Sequence, residues 1–475
     1  MLQHKDINKL SELKNGFTHR WLDPDFIFST LKCFSFSTLC KGLAPLKVRG
    51  YSFELIFSIL ISLPFKAVAT VNGLSSHVEA KKDVFYRVKN NPVICWRYIL
   101  WLFGCKFRSI TESDDNGYIK CLIFDDSVIQ KTGKLIENAS YVWDHVQNRC
   151  VLGFKLLVMG YWDGTSMIPL DFSLHREEGK NKEKPFGLRK KDYRKQYKKP
   201  RKQGTHSYDR SKEADESKIN SMLKMFSRAI SHGFKVDYVL TDSWFTCEAL
   251  VEAVCKVKKQ TVHLIGMYKI AKTKFLYNGQ LLTYSQIRNC LGKPKRSRML
   301  KLYYLQADVE YRGRKLQLFF SKKGKNGKWK VLLTTDTKIG FTRLIEIYQT
   351  RWSIEVFFKE SKQLLSIGNC QSNDFDAQIA DLTISMIQYM MLTLRYRFDT
   401  YESKGKLFEQ VQSEMLIQRL NERLWELFIE LLQVLATLFE DVDEMAVFEK
   451  IVTDDKAWER LKALFACETS LNKAA

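Results

Sequence analysis

Apolar residues recur at helical spacing from residue 1 to about 110, with breaks near Pro45, Pro64 and Pro92, which predicts a small helical domain. From Gly117 the pattern changes. YIKCLIFDDS, VLGFKLLVMGYW and TSMIPLDFSLH are apolar runs separated by turn residues, and each predicts a strand. A helix is predicted over KINSMLKMFSRAISHG with Gly233 as its C-cap. It is followed by a strand in KVDYVLTDSWF that ends at Asp242, a helix over CEALVEAVCKV and a strand in VHLIGMYK. Three strands, a helix, a strand, a helix and a strand is the order of a mixed α/β sheet. Residues 270–335 interrupt it with the β-like runs LYYLQADVEYRGRKLQLFF and KWKVLLTTD. Beyond them the pattern is helical to the end, including NERLWELFIELLQVLATLF, and no internal repeat is present.

One helical stretch carries more than a packing pattern. In YQTRWSIEVFFKESKQLL, Tyr348, Arg351, Glu355 and Lys362 stand at offsets of 0, 3, 7 and 14. At roughly 100° per residue they fall within an arc of about 60°. Ile347, Ile354, Phe357, Ser361 and Leu364 fill a neighbouring sector. A helix of this kind packs on a core while presenting an acid flanked by two cations and a phenol.

Composition narrows the partner. A chain of 475 residues with 45% hydrophobic and 13% aromatic residues forms two to four units and at least one sizeable core. Lys and Arg outnumber Asp and Glu by 76 to 53, and a charge of +23 implies a polyanion, nucleic acid before an acidic membrane surface. The apolar window from Tyr51 is interrupted by Glu54, Pro64 and Lys66, so it predicts a buried helix and no membrane span. The amino terminus lacks the charged-then-apolar order of a secretory signal, which predicts a cytoplasmic protein. Eleven Cys with no CxxC pair fit a reducing compartment and packing roles. Between Lys180 and Lys202, twelve cations face only Glu183 and Asp192, which predicts a solvated loop. Its interleaved Tyr193 and Tyr197 favour phosphate contact, with Lys190, Lys191 and Arg194 as candidates.

Three acidic positions stand out by location: Asp125 or Asp126 in the first strand, Asp242 at a later strand end, and Glu355 on the helix. Converging carboxylates of this kind suit Mg²⁺ or Mn²⁺, which prefer hard oxygen ligands. A pair of such ions supports in-line attack on a phosphodiester, chemistry that matches a polyanionic partner.

Tyr348, Arg351, Glu355 and Lys362 reproduce the signature Y-x-x-R-x-x-x-E-x-x-x-x-x-x-K, and FDDSVIQKTGK and TDSWF surround the other acids. Over about residues 115–400 the chain resembles a DDE transposase of bacterial insertion sequences, in the branch of insertion sequence four. The resemblance implies an α/β, RNase H-like mixed-sheet catalytic core at 113–269 and 336–400, with a β-rich insertion at 270–335. It further implies a helical amino-terminal DNA-binding domain at 1–112 and a helical region at 401–475 with a role in dimerisation. Mg²⁺, with Mn²⁺ as substitute, would support cut-and-paste movement of DNA bearing terminal inverted repeats by a synaptic homodimer. The implied metal triad is Asp126, Asp242 and Glu355. Asp126 is preferred because the family places its first acid before Thr or Ser, here Ser127, and Asp125 is the alternative. Strand parity does not decide, since both faces of YIKCLIF are partly apolar. Tyr348, Arg351 and Lys362 are implied to hold DNA phosphates, with Trp352 or Trp244 stacking on a displaced base.

Ordinary roles compete with each of these. Arg351 and Glu355 also form a standard i, i+4 ion pair, Asp242 also reads as a helix N-cap, and Phe357 and Phe358 read as core. Two other functions share the sequence features: a non-catalytic DNA-binding regulator derived from a transposase, and a nuclease with the same core.

Overall fold

Residues 5, 6, 9, 26–43, 50–66, 81–112, 117–179, 181–269, 273–324, 326–416, 427, 428, 431, 434 and 444–465 are described by the structure, a computed structural model. Pro45, most of the predicted helix NERLWELFIELLQVLATLF and most of the amino terminus lie outside the described residues. The chain forms two units, one of Thr38–Ile61 with Ala69–Thr400, the other of Met1–Ser37, Ser62–Val68 and Tyr401–Ala475. Residues 1–112, one helical segment by sequence, are thus divided between the two.

The larger unit is built on one mixed sheet, with twelve strands among the described residues. In chain order they are β1 (Cys121–Gln130), β2 (Ser140–Asp144), β3 (Arg149–Trp162), β4 (Met167–His175), β5 (Tyr238–Thr241) and β6 (His263–Met267). There follow β7 (Lys274–Tyr277), β8 (Gln280–Thr283), β9 (Lys295–Ser297), β10 (Leu302–Tyr311), β11 (Arg314–Lys323) and β12 (Lys330–Thr334). β1 lies between β3, antiparallel to it, and β5, parallel to it, while β6 runs parallel to β5 and β4 pairs with β3. The predicted 270–335 insertion is continuous with this sheet: β12 pairs antiparallel with both β6 and β11, and β11 with β10. Its two tight hairpins turn at Asn278-Gly279 and Arg312-Gly313, where all four residues have positive φ, the geometry that matches strand twist.

Both faces of the central strands are covered. Cys121–Phe124 of β1 are fully buried, the run expected of a strand packed on two sides. One cover is the helix Phe375–Phe398, buried at every position from Phe375 to Leu394 except Asp381, with Asp376, Gln378, Thr383, Ser385, Gln388 and Thr393 as polar residues among the apolar ones. The helix Trp96–Thr111 packs on it and on β4, burying Trp101, Phe103 and Phe107. Each such side chain contributes about 1.5–3 kcal/mol on burial. From Tyr51 onward the described part of the apolar window forms the helix Phe53–Ser62, and among the described residues no helix is long and apolar enough to cross a membrane.

Polar ties lock these layers. Asp171 of β4 accepts from Arg97 Nε at 2.9 Å and from Arg228 Nε at 2.7 Å. Burial alone would raise its pKa, but Arg97, Arg228 and Arg210 outweigh burial and hold it below the usual carboxylate value. The basic run departs from a solvated loop. Lys190, Lys191 and Arg194 are exposed on a short helix, Lys190–Arg194. Lys199 instead reaches Asp374 at 3.0 Å and Asp376 at 2.7 Å, and Arg201 grips Glu137 through two bonds of 2.6 and 2.8 Å. These two cations serve the fold, because buried carboxylates at the start of the Phe375–Phe398 helix need counter-charge.

His175 ends β4 almost wholly buried. Its Nδ1–H donates to the Glu216 carbonyl at 3.1 Å, so Nε2 accepts the Ser173 hydroxyl at 2.6 Å. Burial pushes its pKa from 6.5 down to about 4. The unfolded chain therefore takes up this proton first as pH falls. Stability is whole above pH 6.5 and is lost progressively toward pH 4, by about 3 kcal/mol in all at 1.36 kcal/mol per unit. Urea unfolding at several pH values should show a shallower fall for His175→Gln than for wild type; parallel curves would refute this.

In the smaller unit Phe65 packs between Phe26 and Phe408, with ring centroids 5.3 and 5.4 Å away. Lys9 Nζ pairs with Asp455 at 2.6 Å.

Candidate active site

The stretch that predicts one helix forms two, Phe341–Gln349 and Trp352–Leu364, joined through Thr350 and Arg351. Ile347, Ile354, Phe357 and Ser361 are buried, as the apolar sector predicts, Leu364 of that sector is only half-buried, and Phe358 is buried with the others. The second helix and the loop after it run along one face of β1. Asp125 meets Arg351 at 3.1 Å, Ser127 accepts from Lys362 Nζ at 2.8 Å, and Ile129 presses against Gly368 so closely that a Cβ there would stand 2.7 Å from its Cγ2. These are alternate strand positions, so they share a face.

Asp126 has a different neighbour. Its Oδ2 accepts from Lys218 Nζ at 2.5 Å, at the start of the helix Lys218–Ser231. The preference for Asp126 therefore finds it paired with Lys218, and Asp125 is the acid beside Arg351. Asp242 follows β5, where its Oδ1 accepts the Trp244 and Phe245 amides at 2.9 and 3.1 Å. It caps this turn and not a helix, since the next helix begins at Glu248. Gly266 of β6 is required beside it: a Cβ there would stand 2.2 Å from Thr246 Oγ1 and 2.9 Å from Thr241 Oγ1.

Arg351 joins the group. One arm of its guanidinium reaches Asp125 and the other forms a short bond to Glu355. The Tyr348 hydroxyl donates to the Thr241 carbonyl at 3.1 Å, fastening the first helix to the end of β5 beside Asp242. Burial raises the Asp125 pKa to about 7, with Arg351 opposing and the Asp242 charge adding to it. Burial likewise raises Tyr348 to about 12. Burial also lowers the Lys362 ammonium, against the pull of Asp144. In this arrangement Tyr348, Arg351 and Lys362 all have partners within the protein, whereas the sequence reading assigns them to DNA phosphates.

Trp244 and Trp352 are exposed, at 55% and 61%. Lys218 and Lys269 hold their ammonium groups 5.1 and 5.7 Å from the Trp244 ring. Lys218, which touches both Asp126 and this tryptophan, is a residue that sequence spacing does not reveal, because it meets them only through tertiary packing.

Among the described residues, no three Asp, Glu, His or Cys side chains stand close enough to hold a metal ion. The guanidinium of Arg351 lies between Asp125 and Glu355 as their counter-charge. The donor chemistry nevertheless fits a hard divalent cation, since the acids offer oxygens only, and the Asp242 charge is felt at Asp125 in addition to the larger effect of burial.

Residues 201–391 match the family model of the transposase DDE domain. The match supports a DDE transposase and, with it, DNA as the partner. It spans Asp242 and the helix of Glu355 and begins after β1. No curated protein matches the chain.

Proposed function

We infer that the protein is the transposase of an insertion sequence, cutting DNA at the element's ends and joining it to a target by a cut-and-paste route. The observation that carries this reading is the match of residues 201–391, which hold Asp242 and Glu355, to the transposase DDE domain, with Asp125 of β1 brought to Glu355 through Arg351 and sensing the Asp242 charge. The strand order β4-β3-β1-β5-β6 supports an RNase H-like core, with its acids on the central strand, after the neighbouring parallel strand and on a following helix.

Asp125, Asp242 and Glu355 would hold Mg²⁺, with Mn²⁺ as substitute; Asp126 is the alternative first acid. When bound, such ions activate water or a 3′-hydroxyl and stabilise the leaving oxygen. Arg351 and Lys362 supply positive charge beside the acids, and the fork of Arg351, freed from a carboxylate, suits a phosphate. Trp244 and Trp352 offer exposed faces for stacking on a displaced base. Lys190, Lys191 and Arg194 add sequence-independent phosphate contact. The reading includes terminal inverted repeats, a synaptic homodimer, amino-terminal DNA recognition and carboxy-terminal dimerisation.

The regulator reading has one observation in its favour, the closure of Arg351 onto two of the three acids. Incubating the protein with Mg²⁺ and DNA that carries the segments flanking its gene separates the readings. Cuts with 3′-hydroxyl ends, followed by joining to a second DNA, are expected. Binding without cutting would replace the transposase reading with the regulator, and cutting without joining would replace it with the nuclease.

A further inference from the structure

We propose that a second DNA-reading surface lies beyond the acids, in a cleft where exposed amide side chains meet the base edges of a duplex. The inference rests on the transposase reading above and adds a specificity site to it. The cleft, about 470 Å³, lies between the turn after β1 and the loop after the helix Trp352–Leu364. Gln130, Thr132, Asn369, Gln371 and Asn373 line it, and all five are exposed. None of these side chains is hydrogen-bonded to another described residue.

The chemistry of the lining selects the partner. In a chain with 27% charged residues and a net charge of +23, the charged residue lining this cleft is Lys131, which is buried. Its ammonium turns away from solvent to the carbonyls of Gly368 at 2.5 Å and Cys370 at 3.0 Å. A phosphate-binding groove would present cations. Side chains that each offer a donor and an acceptor suit base edges, and Asn and Gln in particular match the paired acceptor and donor of adenine in the major groove.

The lining is also held in place. Lys131 clamps the loop to the strand end, and Gln378 Nε2 donates to the Cys370 and Ser372 carbonyls at 3.2 and 2.6 Å. Gly368, at φ +90°, lets the loop lie against Ile129 where a side chain would collide. A loop fixed before binding loses little freedom on binding.

Position links the cleft to the acids. Ile129, against which the loop carrying Asn369 and Gln371 packs, shares the face of Asp125 and stands four residues along β1, about 14 Å on an extended strand, or about four base pairs at 3.4 Å each. Lys362, at Ser127, stands between them. A duplex with its reacting phosphate at Asp125 would present base pairs roughly four positions away to the amides of that loop, with a preference for A·T.

The test is selection from a pool of randomised duplexes by the full-length protein, followed by sequencing of the bound DNA. Wild type is expected to enrich A·T at two or three adjacent positions. The exposed-surface variants Gln130→Ala/Gln371→Ala and Asn369→Ala/Gln371→Ala are expected to lose that preference by about ten-fold, the discrimination of one good amide–adenine pair. Their affinity for the unselected pool should change by less than about two-fold, with unchanged melting temperature. An unaltered preference in both variants, or an equal loss of affinity for every sequence, would overturn the proposal and leave the transposase reading intact. Failure of wild type to bind the pool at all would overturn both.

Discussion

Asp125→Asn, Asp242→Asn and Glu355→Gln should each lower Mg²⁺-dependent DNA cleavage by about three orders of magnitude or more, and Asp126→Asn by less than about ten-fold. The basis is several kcal/mol of transition-state stabilisation supplied by correctly held metal ions, at about 1.36 kcal/mol per ten-fold. Exposure does not separate the adjacent acids, since the Asp125 and Asp126 side chains are 17% and 18% exposed. Their partners do: Asp125 shares Arg351 with Glu355, and Asp126 is taken by Lys218. The amide substitutions keep size and hydrogen bonding, so thermal melts of all four variants serve as the folding control. The reverse result, an active Asp125→Asn and a dead Asp126→Asn, would move the site to the Lys218 face of β1. Equal activity of all four with wild type would remove the acids from the chemistry altogether.

Arg201→Ala should cost about 3–5 kcal/mol, the loss expected when one partner of a buried ion pair is removed. Arg201 and Glu137 side chains are only 5% and 8% exposed, and Glu137 also accepts the backbone amides of Lys199 and Phe375 at 3.2 Å. Without the guanidinium, a buried carboxylate is left at the start of the long central helix. Joint replacement of Lys190, Lys191 and Arg194 by Ala should leave stability within about 0.5 kcal/mol per site and weaken DNA binding, with a shallower salt dependence. Denaturant unfolding and salt-titrated DNA binding measure the two effects. If Arg201→Ala proves as stable as wild type but binds DNA poorly, the whole basic run is a phosphate surface after all.

The elements that position the acids were legible because their signals are local. Alternation and apolar runs reveal β1, β3, β4, β5 and β6, and Gly233, at φ +73°, follows the helix it was expected to cap. The spacing of Tyr348, Arg351, Glu355 and Lys362 was legible too, although the chain breaks into two helices at Thr350 and Arg351. What local pattern could not supply was the face of β1 that the second helix covers. Both faces of Cys121–Phe124 are buried, so the apolar pattern carries no parity, and the choice between Asp125 and Asp126 waits on tertiary contacts. The same blindness hid the division of labour in the basic run. Lys199 and Arg201 look like their neighbours, and only the distant Glu137, Asp374 and Asp376 set them apart.

The continuity of the sheet has a bearing on how the protein tolerates trimming. Excision of residues 273–324 would remove β7 to β11 and leave β12 as a bare margin, with a row of amides and carbonyls open to any passing strand. Two copies so shortened would find each other along that margin and aggregate. The hairpins that the sequence presents as an appendage thus act as a guard rail for the strands that carry the acids.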